Sequence, residues 1–152
     1  MSEIITNQDN LPKDIKELLN EALKVSGNSY NKYSHFYVGA AVRTKSGKVY
    51  IGTNMENASY GLSICAEPAA IMSANSHGDF DIEAIAIVGG FQDVPDQEPA
   101  TPCGRCRQLI HEASQVSGVD IAVYCSNLTL STILVTTIEE LLPFAFILKK
   151  DN

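Results

Sequence analysis

Three of the four cysteines in this chain stand at the openings of two helix-forming stretches, and that placement restricts how the chain can fold. Cys65-Ala66-Glu67 begins the stretch ICAEPAAIMSANSH, and Pro102-Cys103-Gly104-Arg105-Cys106 begins CGRCRQLIHEASQV. Cys103 and Cys106 are three residues apart, so a first helical turn puts both sulfurs on one side. Helix N-termini carry partial positive charge, which favours thiolate over thiol. If the two helix starts converge at one end of a sheet, three thiolates surround one point.

The flanking segments predict such a sheet. From Pro12, PKDIKELLNEALKVSGN spaces Ile15, Leu18, Leu19, Ala22 and Leu23 as a helix, with Gly27 as its stop. FYVGAAVR and KVYIGTN flank Thr44-Lys45-Ser46-Gly47 and read as a β-hairpin. NMENASYGLS is loop chemistry, and Gly78 lies just past the first cysteine helix. IEAIAIVGG reads as a buried strand, FQDVPDQEPATP as a proline-rich loop and VDIAVYC as a further strand. SNLTLSTILVTT fits a short strand near Ile133, and Thr137-Ile138-Glu139-Glu140 has capping-box spacing for a short helix through Leu142. FAFILKK is left as a C-terminal tail with exposed-looking aromatics. The order αββαβαβ(β)α predicts an α/β fold, a three-layer α/β/α sandwich with a mixed central sheet. A length of 152 residues suits a single domain over 1–152, with residues 1 to about 11 as a flexible tail.

Charge narrows the partners. The formal net charge is −7, with 11 Lys and Arg against 18 Asp and Glu, and no basic cluster tracks a phosphate backbone. A nucleic-acid polymer is therefore not expected, and a small neutral ligand fits better. No apolar run reaches membrane-spanning length, and the opening MSEIITNQDN has neither a basic nor an apolar leader region, so the expectation is a cytoplasmic protein with no membrane partner.

Three thiolates and an open position form the pattern of a catalytic zinc site, one ion per chain. Zinc lowers the pKa of a water in the open position toward about 7. Glu67 lies two residues past Cys65, where a longer carboxylate can reach that water without ligating, so it is the candidate proton shuttle. Other readings stay open on the residues alone. Cys103-x-x-Cys106 could be a redox pair, Cys125 could complete a structural four-cysteine zinc site, and Glu67 could be a solvated helix-start charge. His35, His77 and His111 have no metal-ligand spacing relative to one another.

The segments SHFYVGAAV, GTNMENASYGLSICAE, PCGRCRQ and ELLPFAF, in this order, resemble the cytidine deaminase family. The resemblance implies zinc on Cys65, Cys103 and Cys106 and a proton shuttle at Glu67. It implies that Asn54 and Glu56 bind ribose hydroxyls, that Phe36 packs on the pyrimidine, and that Ala66 contacts the substrate through its backbone. It also implies a homotetramer, with a dimer as the alternative, in which Phe146 reaches a neighbouring subunit's site. The expected reaction is hydrolytic deamination of cytidine or 2′-deoxycytidine at C4, as in pyrimidine salvage. The family usually places Arg after Cys-Ala-Glu, and this chain has Pro68. Zinc with three thiolates sums to −1, and without an offsetting cation the excess charge blunts the metal. Arg105, between the two ligand cysteines, is the expected compensator, donating to a thiolate. PCGRCRQ is also similar to the blasticidin S deaminase motif. A blasticidin-type substrate, or a non-catalytic zinc-stabilised nucleoside-binding module, is thus the alternative.

Overall fold

Among the described residues, six strands and four α-helices make up most of the structure. In the computed structural model, the described residues are 1–95 and 97–149. Asp96 of the proline-rich loop and Lys150 of the tail lie outside them, as do residues 151–152. The strands are β1 (Glu3–Ile5), β2 (Phe36–Thr44), β3 (Val49–Thr53), β4 (Ile82–Phe91), β5 (Ala122–Ser126) and β6 (Ile133–Thr137), and the helices are α1 (Lys13–Ser26), α2 (Ala66–Ser76), α3 (Gly104–Ser117) and α4 (Ile138–Leu141). The sheet order is β1-β6-β5-β4-β2-β3. Only β4 and β5 pair in parallel, so the sheet is mixed, as expected.

Alternation along the central strands divides the core in two. Ile85 and Ile87 of β4 face the α2 and α3 side with Ala40 and Val42 of β2. Ala84, Ala86 and Val88 face α1 with Ala41, Leu18, Leu19 and Ala22. Successive side chains of a strand point to opposite faces, so one strand serves both layers. The helices approach closely at two glycines. A Cβ on Gly39 would fall 1.9 Å from the Ala22 carbonyl oxygen of α1, and one on Gly52 would fall 2.3 Å from the Ala70 nitrogen of α2.

Two features differ from expectation. The N-terminal segment expected to be flexible carries β1, which pairs with β6 through Glu3–Val135 and Ile5–Ile133. Leu11 is buried, and the Met1 amine meets the Glu140 carboxylate. Three residues are too few for a periodicity signal, because the partner strand supplies the reason for pairing. Secondly, Thr137 caps α4 by accepting the Glu140 N–H at 3.4 Å, but Glu140 does not return the bond. Its carboxylate accepts from the Ser2 and Thr136 hydroxyls.

Candidate metal centre and active site

The topology determines where the chemistry gathers. β3 and β4 both pair antiparallel with β2, so they run the same way and the chain leaves both at one sheet edge. α2 follows β3 and α3 follows β4, so both helices begin at that edge. Open α/β sheets bind ligands outside such strand ends.

Cys65 is the N-cap of α2 and Cys103 the N-cap of α3, and neither side chain caps its helix. Cys106 is the third residue of α3 and fully buried. The three sulfurs lie within 4.8 Å of one another. The neighbouring Cys106 thiol holds the Cys65 thiol down at about 7, and the same contact raises Cys106. One thiolate is thus already favoured within the cluster. Sulfurs this close, at two positive helix ends and free of capping bonds, fit a zinc ion with a position left over. Cys125, on β5, is fully buried and does not join the cluster, and burial pushes its thiol up to about 12. It packs as a small apolar side chain.

Glu67 is the second residue of α2 and only 4% exposed. Burial raises its carboxyl pKa. A solvated helix-start charge would be exposed, so that alternative does not describe Glu67. Ala66 and Glu67 line a cleft of about 350 Å³ together with Cys65, Cys103, Phe36, Asn54 and Glu56. Ala66 opens α2, where a backbone N–H has no intrahelical acceptor. The Phe36 ring is held edge-to-face by Phe91, with centroids 4.9 Å apart.

The polar part of the cleft lining is built from hydrogen bonds. Asn54 Oδ1 accepts from the Val38 N–H at 3.0 Å and the Ser29 hydroxyl at 2.5 Å, and Nδ2 donates to the Phe36 carbonyl at 2.9 Å. One Nδ2–H is left over. Glu56 Oε1 accepts from the Tyr33 and Ser34 N–H groups at 2.9 and 3.0 Å, and Oε2 accepts from the Ser34 hydroxyl at 2.5 Å. The Ser34 hydroxyl bond, followed by the Ser34 N–H, lowers the Glu56 pKa. Sequence reasoning assigned no role to Ser29 or Ser34. Ser34 lies inside SHFYVGAAV, but its task shows only when the loop is laid against Glu56.

Phe146 is not among the residues lining this cleft. It is 70% exposed, and Gln108 Nε2 donates to its carbonyl at 3.0 Å. The hydrogen bond expected from Arg105 to a cysteine sulfur is not formed among the described residues. Arg105 is exposed, and its charge contributes only the smallest of the effects on Cys65. As the second residue of α3 it projects from the helix start into water. Pro68 is buried in the first turn of α2, where the missing N–H has no intrahelical partner to lose.

The profile described as the cytidine and deoxycytidylate deaminase zinc-binding region matches residues 12–123. A cytidine deaminase of Halalkalibacterium halodurans is 43% identical over 88% of this chain and 94% of its own length. A blasticidin-S deaminase of Bacillus cereus is 32% identical over 90% of this chain and 95% of its own. The crystal structure of a cytidine deaminase from Burkholderia pseudomallei superposes with a TM-score of 0.75 at 38% identity, covering 86% of this chain and 98% of that one. The match takes in the sulfur cluster, the buried glutamate and both polar residues, Asn54 and Glu56, of the cleft lining, and the chain belongs to the zinc-binding cytidine and deoxycytidylate deaminase family.

Proposed function

We propose that this protein hydrolytically deaminates cytidine and 2′-deoxycytidine to uridine and 2′-deoxyuridine with release of ammonia. One observation carries the proposal: two thiols of the three-sulfur cluster and a buried glutamate line a cleft that Asn54 and Glu56 also line. Cys65, Cys103 and Cys106 hold one zinc ion per chain. When bound, zinc supplies the Lewis acidity that makes water a nucleophile near neutral pH.

The chain's own residues do the rest. Glu67 takes a proton from the attacking water and delivers it to ring N3 as the water oxygen bonds to C4. Glu67 then carries the remaining hydroxyl proton to the exocyclic amine. The C4–N bond breaks, ammonia leaves and the C4 carbonyl forms, with the proton on N3 retained in the product. Phe36, braced by Phe91, supports the ring, and the Ala66 N–H donates to the base. The spare Nδ2–H of Asn54 and the Glu56 carboxylate offer one donor and one acceptor, which a single sugar hydroxyl satisfies at once.

Phe144, Phe146, Ile147 and Leu148 are all exposed, which supports a homo-oligomer, read here as a tetramer in which Phe146 enters a neighbour's cleft. The protein is one deaminase unit working in pyrimidine salvage in the cytoplasm. Among the described residues no helix is long and apolar enough to cross a membrane.

Pro68 and the blasticidin-S deaminase relative favour a second substrate, blasticidin S. Loss of ultraviolet absorbance should be followed for cytidine, 2′-deoxycytidine, cytosine and blasticidin S. Turnover of both nucleosides with weak turnover of cytosine is expected. Turnover of blasticidin S alone would replace the nucleoside reading, and binding without turnover would make the protein a nucleoside-binding module.

A further inference from the structure

Arg107 bonds a residue 34 positions further along the chain and, with it, the turn that precedes its own helix. Its Nε donates to the Pro102 carbonyl at 2.8 Å, and its Nη1 donates to the Leu141 carbonyl at 2.9 Å. Its backbone N–H donates to the Cys103 carbonyl, also at 2.9 Å. Pro102 is buried and immediately precedes Cys103. Leu141 is the last residue of α4, and its carbonyl is one of those a helix end leaves without an intrahelical donor. A guanidinium is planar and its N–H groups are fixed in direction, so two carbonyls bound together are fixed relative to each other. One of these carbonyls belongs to the peptide that leads into Cys103, and the other ends the helix from which the C-terminal tail departs.

We propose that Arg107 is a positioning residue of the metal centre. It locks the cysteine turn to α4, so that order in the C-terminal helix is transmitted to the geometry of the sulfurs. Arg105, two residues earlier, points to solvent and holds neither segment. The inference rests on the proposed zinc site. It extends that site to a helix that contributes no ligand.

The test uses the zinc-loaded protein. Zinc release to a chromophoric chelator is timed, and the visible spectrum of the cobalt-substituted protein is recorded. Arg107→Met keeps the length and removes both donors. Release should quicken by about 10–100-fold, with a changed cobalt–thiolate spectrum. Arg107→Lys keeps the charge but not the fork, and it should resemble the Met variant more than the wild type. Thr137→Ala loosens α4 from its other end by removing the acceptor for the Glu140 N–H. It should quicken release by a smaller factor, and add little in the Arg107→Met background, because both changes break one link.

Wild-type release and spectrum in Arg107→Met would overturn the proposal, and so would additive effects of the two changes. If Arg107→Met does not fold, unchanged release in both Arg107→Lys and Thr137→Ala overturns it equally. A wild-type protein that holds no zinc would instead remove the metal reading beneath it.

Discussion

Glu67 and Glu56 line one cleft, and their surroundings differ in kind. Glu67 is buried at a helix start beside three sulfurs, and burial raises its pKa. Glu56 sits in a loop, accepts three hydrogen bonds from Tyr33 and Ser34, and is lowered by them. Under the proposed function these surroundings suit the same side chain to two tasks. A carboxylate in a dry site beside a reacting atom exchanges protons, and a carboxylate saturated with donors keeps its charge and binds. The two parts of the site also differ in how they are assembled. The sulfur cluster and Glu67 come from two short motifs on helix starts, whereas the surroundings of Asn54 and Glu56 draw on residues 29, 33, 34, 36, 38, 54 and 56.

The difference is tested most severely at Glu67. Glu67→Gln keeps the shape and removes the ability to carry a proton. Turnover should fall by at least about 10²–10⁴-fold, with one zinc per chain retained by elemental analysis. A variant that kept near-normal turnover would assign the proton transfers to another group. At Glu56 the effect should be smaller and depend on substrate. Glu56→Gln sets an amide N–H group against donors the carboxylate now accepts from. It should lower kcat/KM for cytidine by about 10–100-fold and leave the weak rate on free cytosine nearly unchanged. An equal loss on both substrates would mean that Glu56 supports the fold of the cleft and does not read the sugar.

The same contrast explains what was legible in the sequence. Cys65, Cys103, Cys106 and Glu67 could be placed together because helix starts follow from local pattern, and α2 and α3 begin where expected. The two sides of the sheet follow from the alternation in IEAIAIVGG, which puts Ile85 and Ile87 against one layer and Ala84 and Ala86 against the other. Asn54 and Glu56 were named through family resemblance, because an Asn and a Glu in a polar loop look like surface residues. What they do depends on Ser29 and Ser34, more than 20 residues away in each case. β1 was missed for a related reason: its structure is induced by β6. Arg105 is exposed and forms no bond to a cysteine among the described residues, because proximity in sequence to two ligands does not decide which way a helix-start side chain points.

Ser34→Ala sharpens the comparison at lower amplitude, since it removes one of the three bonds to Glu56 and the largest cause of its lowered pKa. KM for cytidine should rise a few-fold while zinc content stays at one per chain. The pH dependence has a definite sign. A depressed native pKa contributes stability that is full above the unfolded carboxylate value, about 4.3, and is lost as pH falls through the native value. The wild-type and variant melting temperatures should therefore differ by a constant amount from pH 7 to about 5 and converge below that. A gap that widens on acidification would show that the Ser34 hydroxyl does not act through Glu56.

The smallest effect is expected at Arg105, and its size decides whether charge near the sulfurs acts without a hydrogen bond. Arg105 is exposed, and among the described residues its guanidinium does not bond a cysteine. Its charge still favours the Cys65 thiolate, as the least of the effects on that group. Exposed charges act weakly across water, and salt screens them within about 10 Å at 0.1 M. Arg105→Ala should thus change zinc release by less than about threefold at low ionic strength, and that change should vanish at 1 M salt, where the screening length is about 3 Å. A loss of tenfold or more that persists in high salt would require a direct bond from the guanidinium to a metal-bound sulfur. It would restore to Arg105 the compensating role expected from its place between Cys103 and Cys106.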